Sequence, residues 1–271
     1  MRRLVYLCLS AGLALALSAC SSNGDETDSA VDGGTAEVEA VELEPPAEPP
    51  EPVWGGETTY LRSGDGTPVA AEWLSVEGAE PRGTVILIHM LGQERSDWSP
   101  LVQPLVESGF DVVGVDLRGH GQSKLNGSYA DFTQEQWRAA RADVRAALDY
   151  AIPDKPDPYF VCGASIGANL AFLEVAGDNR SAGVILLSPG KDYRGVRPAE
   201  GLEEYDDRPA LLVAAEDDAF SAQTVRELAA DLTNARVEVY PDGGHGTRLL
   251  SSRPEVRELI IDWLVQRLAE R

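Results

Sequence analysis

Histidine and cysteine are scarce in this chain of 271 residues, with three of each. His89, His120 and His245 lie far apart, and Cys8, Cys20 and Cys162 show no paired spacing. That scarcity excludes a disulfide framework and any familiar cysteine and histidine zinc set, so no metal is expected. Neither a G-x-x-x-x-G-K phosphate loop nor a dinucleotide glycine fingerprint follows any apolar run, and no cofactor is expected. Bases are also few, 23 Lys and Arg against 45 Asp and Glu, for a net charge of −22. Ten of the acids fall between Ser21 and Pro52 with no base among them, and two arginines open the chain, so residues from Val53 onward carry −14. An acidic chain of this kind does not neutralise phosphates, which argues against nucleic acid as a partner.

The first twenty residues start with Met1-Arg2-Arg3, run apolar from Leu4 to Leu17 and end Ser18-Ala19-Cys20. This is the plan of a secretory signal, and the apolar stretch is shorter than the roughly 20 residues that cross hydrocarbon. Leu17-Ser18-Ala19-Cys20 resembles the lipobox of bacterial lipoproteins. The resemblance implies that Cys20 is lipidated, becomes the mature N-terminus and holds the protein on a membrane of the bacterial cell envelope. Ser21, where an aspartate would signal retention at the inner membrane, points to the outer membrane if the cell has one. The acidic, Pro-rich stretch that follows has no aromatic residue and too little apolar surface to order itself, as expected for a solvated tether. The expected organisation is therefore a signal peptide over residues 1–19, a lipidated tether over 20–52 and one domain of catalytic size over 53–271.

Within that domain, Thr58 to Arg62 and Thr67 to Trp73 flank the turn string Ser63-Gly64-Asp65-Gly66 and read as a hairpin. From Val85 on, runs apolar at consecutive positions alternate with segments of helical period. The runs are Val85 to Ile88, Val112 to Val115, Tyr159 to Cys162, Val184 to Leu187, Leu211 to Ala214 and Val237 to Tyr240. Strands buried on both faces of a parallel sheet have this appearance, giving an α/β fold. Gln134 to Ala151 reads as one helix. A last helix is expected after Ser252-Arg253-Pro254-Glu255, which matches a capping box.

Chemistry enters at Gly163-Ala164-Ser165-Ile166-Gly167, the one G-x-S-x-G pentapeptide. An apolar run leads in and small and apolar residues lead out, the context in which a strand turns sharply into a helix and exposes a serine oxygen at the helix N-terminus. A serine hydroxyl needs a base within hydrogen-bond reach. His89 and His120 precede Ser165, whereas His245, in Asp242-Gly243-Gly244-His245-Gly246, follows the last run and satisfies the chain order serine, acid, histidine of such elbows. The acid then belongs to Glu216-Asp217-Asp218, with Asp192, beyond Ser188-Pro189-Gly190, as a more distant candidate. Cys162, in an apolar run, reads as a small buried hydrophobe.

With His89-Met90-Leu91-Gly92 and Asp116-Leu117-Arg118-Gly119-His120-Gly121, these motifs resemble the α/β-hydrolase superfamily from about Val53 to Arg271. The resemblance implies a mostly parallel, doubly wound sheet with an N-terminal antiparallel hairpin and a Ser165, His245, Asp218 triad. The family's late turn often reads G-x-x-D; Ala215 stands in the glycine place, favouring Asp218 over Asp217. One oxyanion donor is implied at the backbone of Ile166 and a second in the loop after the first long strand. There Met90 replaces the usual glycine, so Leu91 is the expected donor and Met90 the alternate. His89 is expected to be structural and the Asp116 to His120 string to shape a loop, with His120 able to approach the pocket rim. Ser165 at the elbow, where dehalogenase and epoxide-hydrolase relatives carry aspartate, points to a carboxylic ester hydrolase acting on a small acyl substrate. Peptidase, thioesterase or perhydrolase chemistry uses the same machinery, and a non-catalytic binding lipoprotein is the competing class. Ser188 to Pro209, rich in glycine and proline, is expected to be a loop in place of a helical cap. Met90, Leu91, Trp98, Tyr193 and Phe220 would border a shallow site suited to short acyl chains. Nothing in the sequence sets an oligomeric state. For the N-terminus, the expected outcome is that Cys20→Ser protein leaves the membrane fraction; a variant still fully membrane-bound after fractionation would point to an uncleaved helix.

Overall fold

The computed structural model describes residues 43–125, 127–152 and 158–271. The expected signal peptide, Cys20 and most of the expected tether lie outside the described residues. Among those described, no helix is long and apolar enough to cross a membrane.

The hairpin appears as β1 (Glu57–Arg62) and β2 (Pro68–Leu74), paired antiparallel with Glu57 opposite Trp73. The apolar runs form β3 (Gly83–Ile88), β4 (Phe110–Val115), β5 (Tyr159–Ala164), β6 (Ser181–Leu187), β7 (Ala210–Ala215) and β8 (Ala235–Tyr240). All eight strands share one sheet in the order β1-β2-β4-β3-β5-β6-β7-β8. β2 meets β4 antiparallel, and every pairing from β4 through β8 is parallel. This is the α/β-hydrolase fold expected from the sequence.

Consecutive apolar positions arise because alternate side chains feed two cores. Val85 and Leu87 enter the core under α1 (Ser99–Glu107) and the C-terminal helix Glu255–Ala269. Ile86 and Ile88 enter the opposite core, under Arg141–Ala151, Ile166–Ala176 and Ala219–Asp231. In chain order the helices after α1 are α2 (Gln134–Ala139), α3 (Arg141–Ala151), α4 (Ile166–Ala176), α5 (Leu202–Tyr205), α6 (Ala219–Asp231), α7 (Leu249–Ser252) and α8 (Glu255–Ala269). Every residue of α4 is buried, which explains why it is apolar around its whole circumference. Each fully buried Val, Leu or Ile contributes about 1.5–3 kcal/mol of transfer free energy.

Two local expectations fail. The segment Gln134 to Ala151 is two helices, because Ala140, at ψ −10°, breaks the ladder. The break lets Trp137 pack among His120, Tyr129 and Phe132 while Asp143 points to Ser63 and Arg118. Apolar periodicity does not register such a one-residue offset. The capping box at Ser252 is also absent. Ser252 closes α7 and donates its hydroxyl to the carbonyls of Gly243 and Arg248, leaving Pro254 as the cap of α8 without a side-chain bond. The stretch from Ser188 to Pro209 is mostly loop, interrupted by a 3₁₀ turn at Pro198–Gly201 and by α5.

Buried ion pairs hold the loops above the sheet. Arg95 reaches Glu72 and Asp116, and Glu72 accepts the backbone N–H groups of Val53, Trp54 and Gly56. The chain ahead of β1 is thereby fastened to the domain from Glu51, whose carbonyl accepts from Arg95 and Gln122. Arg118 pairs with the fully buried Asp143 at 2.7 Å, and Asp143 also accepts from Ser63 and from the Arg118 backbone. Arg118 also reaches the half-exposed Asp65 at 2.6 Å, so removing Asp143 leaves it that one carboxylate and strands the buried Ser63 hydroxyl and Arg118 N–H. Asp143→Ala should therefore lower stability by about 3 kcal/mol, measured by urea unfolding; a change below about 1 kcal/mol would show that Asp65 alone satisfies Arg118.

Candidate active site

In the sheet order, β3 lies between β4 and β5, so the chain leaves β3 on one side and returns on the other. Ligands of open α/β sheets bind at such a reversal, beyond the carboxyl ends of the strands. Ser165 follows β5 directly, and Met90 and Leu91 follow β3.

Between β5 and α4 the direction change is concentrated in Ser165, at φ 54° and ψ −123°. A non-glycine residue with positive φ is strained, and here packing imposes it. A β-carbon on Gly163 would come within 2.4 Å of the Gly167 carbonyl oxygen, and one on Gly167 within 2.3 Å of that of His89. The glycines thus let strand, helix and β3 loop approach closely enough to hold the serine out of the core. The Ser165 N–H donates to the Leu187 carbonyl and the Ser165 carbonyl accepts the Ala168 and Asn169 N–H groups, while Ile166 and Gly167 open α4, where the first N–H groups have no intrahelical acceptor.

His245 brings the other elements in. Its Nε2 lies 2.7 Å from Ser165 Oγ and its Nδ1 lies 2.6 Å from Asp218 Oδ2. An ionised carboxylate only accepts, so the proton resides on Nδ1 and Nε2 accepts the serine hydroxyl. Burial pushes the Asp218 carboxyl up, but the bonds from His245 and Ser221 outweigh it and hold the group below the usual carboxylate range. Asp217 faces away and accepts the N–H groups of Gly243 and Gly244 at 3.2 and 3.1 Å, clamping the histidine loop. Asp192 is bonded to Arg197 and the Gly195 N–H, both at 2.6 Å, and does not meet His245.

A cavity of about 470 Å³ opens over the serine. Met90, Leu91, Ile166 and Tyr193 line it, as do Gln93, Asp192, Arg194 and Arg248. Of the expected border residues, Trp98 is misplaced: it is fully buried in the core beneath α1, because the turn preceding that helix faces the sheet. Phe220 does not line the cavity either. It is 46% exposed, with its ring 5.6 Å from Tyr193, bracing that residue from outside. Tyr193 stands edge-on to His245 at 6.0 Å.

The sequence reading missed several supporting residues. Ser188, at φ 49°, accepts the Gly246 N–H beside the histidine, and its carbonyl receives Ser221. Asn169, inside α4, bonds the Gly190 and Val196 carbonyls and the Gly190 N–H, fixing the loop that carries Tyr193. Asn169, a polar residue in a helix otherwise almost wholly apolar, was the available signal. Gln93, Arg194 and Arg248 left none, since exposed polar residues in loops are ordinary.

The remaining histidines are structural. Leu117 N–H donates to His89 Nε2, so His89 Nδ1 carries the proton and donates to the Met90 carbonyl at 2.8 Å. That bond fixes the peptide joining Met90 to Leu91. His120, 1% exposed, stacks on Tyr129 at 4.1 Å and donates from Nδ1 to the Arg118 carbonyl. Among the described residues no group of side chains could hold a metal ion.

Comparison with known proteins agrees with the fold. The family model of serine aminopeptidase, S33, matches residues 79–205, a span that holds Ser165 but ends before Asp218 and His245. Among solved structures, a Pyrococcus furiosus esterase superposes with TM-score 0.66 at 18% identity, covering 79% of this chain and 91% of that one. Est1E from Butyrivibrio proteoclasticus, with ferulic acid bound, gives 0.65 at 18%, covering 77% and 99%. A thermostable carboxyl esterase from Bacillus coagulans gives 0.62 at 17%, covering 78% and 98%. No curated protein matches the chain. The family model covers just under half of the chain, and the neighbours share its α/β-hydrolase fold.

Burial lowers His89 to about 4, and burial together with the neighbouring His89 lowers His120 to about 3, from an ordinary value of 6.5. Both are neutral when folded, whereas the unfolded chain binds protons below about pH 6.5. Stability is therefore full above that pH and falls as pH drops, by about 1.4 kcal/mol per pH unit for each histidine, until the folded values are reached. Urea midpoints compared at pH 7 and pH 5 should show this fall, and His120→Gln should reduce its slope; a flat profile would contradict the burial of the pair.

Proposed function

We propose that the protein is a serine hydrolase of carboxylic esters working through an acyl-enzyme. The observation that carries the reading is the continuous chain of short hydrogen bonds from Ser165 Oγ through His245 to Asp218 at the floor of an open cavity. The names of the structural neighbours, which include esterases, lend support.

Ser165 Oγ attacks the ester carbonyl carbon as its proton passes to His245 Nε2. The carbonyl π electrons move onto oxygen, and the oxyanion is received by the N–H groups of Ile166 and Leu91. Each such donor is worth about 3 kcal/mol in the transition state. His89 supports the choice of Leu91: it holds the Met90 carbonyl, and in a trans peptide the following N–H points the opposite way. Collapse of the intermediate breaks the bond from carbon to the alcohol oxygen, which takes the proton from His245. Water then attacks the acyl-serine by the reverse proton path and releases the acid. Asp218 holds the imidazole in its tautomer and stabilises the imidazolium. The loop-built roof and the few apolar walls, Met90, Leu91, Ile166 and Tyr193, support short acyl groups over long chains. Export and attachment to the cell envelope through Cys20 belong to the same proposal and rest on the sequence alone.

Ser165→Ala and His245→Ala should each lose at least about 10³-fold in kcat/KM for 4-nitrophenyl acetate, and Ser165→Ala should escape fluorophosphonate labelling. Asp218→Asn should lose far more than Asp217→Asn, whose side chain retains an accepting oxygen. In the same assay from acetyl to palmitoyl esters, activity should decline with chain length and show no jump at the solubility limit. Wild-type rates in Ser165→Ala would overturn the reading, and a preference for the longest chains would reveal a lid.

A further inference from the structure

Two arginines on the catalytic cavity, Arg194 and Arg248, have no carboxylate or carbonyl partner among the described residues. Arg82 and Arg271, away from this cavity, also lack one, so what singles out this pair is its place beside Ser165 in a chain where acids outnumber bases 45 to 23. The exposed Arg180 and Arg226 find Asp178 and Glu216. Nearby acids do not cancel the two charges. Asp192, also on the cavity, is committed through one oxygen to the Gly195 N–H and through the other to Arg197. Asp218 is committed to His245. Asp97 shares an adjacent depression with Arg248 but forms no ion pair with it, and accepts the Glu94 N–H.

Backbone geometry gives a second, independent reason to single out Arg194. Tyr193 and Val196 exchange both backbone hydrogen bonds, at 3.1 and 2.9 Å, so Arg194 and Gly195 form a two-residue turn with φ 56° and 84°. The first place in such a turn favours glycine, asparagine or aspartate, and an arginine there is strained. Asn169 on the Val196 carbonyl and Arg138 on the Gly195 carbonyl, both at 2.9 Å, hold the turn in place. A strained cation, kept unpaired at the rim of a nucleophile's cavity, is better explained by a ligand than by folding.

We propose that the substrate is an anionic ester, carrying a carboxylate or phosphate group that Arg194 and Arg248 receive while the ester carbonyl lies at Ser165. The inference rests on the ester-hydrolase reading and adds the substrate's charge class. Guanidinium groups suit it because they bind either anion through paired N–H donors.

The test compares charged and neutral ester pairs, each corrected for its hydroxide-catalysed rate. For the alcohol side the pairs are 4-acetoxybenzoate against 4-acetoxybenzamide, and 4-acetoxyphenyl phosphate against phenyl acetate. For the acyl side the pair is mono-4-nitrophenyl glutarate against 4-nitrophenyl valerate. At least one charged-to-neutral ratio of kcat/KM should exceed unity, and the pair with the largest ratio identifies the anion and its position. That ratio should fall about fivefold in Arg194→Ala and in Arg248→Ala, mainly through KM, and should also fall with added salt. Arg194→Lys should keep more of it than Arg194→Ala. Arg194→Gly should lose it while raising Tm by about 2 °C, because glycine relieves the turn; a role in folding would move Tm the other way. Ratios at or below one for every pair, or ratios unmoved in the double alanine variant, would overturn the inference while leaving the esterase reading intact. Absence of all ester hydrolysis together with no fluorophosphonate labelling would overturn both.

Discussion

The reversal of the chain at Ser165 requires β5, α4 and the loop after β3 to meet with almost no side chain between them. Gly163 and Gly167 permit that contact, and the left-handed backbone at Ser165 is its result. Because the strained residue is held from both sides, Ser165 faces the cavity, and Ile166, the first residue of α4, lines the same space. Every other element of the site is arranged around a point that the backbone alone has defined. The small residues Ala164 and Ala168 beside the turn keep the same approach open.

A layer of buried polar contacts then keeps the loops over the sheet from drifting. Arg95 with Glu72 and Asp116, and Arg118 with Asp143, join strands, loops and helices distant in sequence. His89 adds a link between the loop after β3 and Leu117 after β4. These contacts lie away from the reacting atoms, yet they set where the Met90 to Leu91 peptide stands. On the far side, Ser188, Asn169 and Asp217 do the same for the loops carrying Tyr193 and His245. The site is a set of loops made rigid by satisfied polar groups, which is what preorganised catalysis demands.

Electrostatically the molecule is divided against itself. The chain is strongly acidic, while the rim of the cavity presents two arginines without carboxylate partners among the described residues. At physiological ionic strength the Debye length is about 8 Å, so a ligand inside the cavity responds mainly to the nearby guanidinium groups and less to the distant acids. Global charge is therefore a poor guide to what enters the cavity.

What the sequence determined by itself was much of what is local in the chain. Five consecutive-apolar runs reported strands buried on both faces, whereas the sixth, Val237 to Tyr240, is the edge strand β8, which is only partly buried; the pattern around Gly163 to Gly167 reported a sharp turn, and the order of Ser165, the acidic turn and His245 narrowed the candidate triad to a few residues. These are readable because periodicity and steric demand act over a handful of neighbours. Tertiary structure alone decided which carboxylate meets His245, since Asp217 and Asp218 are adjacent in the chain and differ only in the direction each points from the end of β7. It likewise decided that Trp98 enters the core, that Ala140 divides a helix, that Ser252 closes α7, and that Arg194 and Arg248 converge on one cavity. Each of those outcomes depends on sheet order and loop packing that bring together residues far apart in sequence, and no local pattern of residue types encodes that distance.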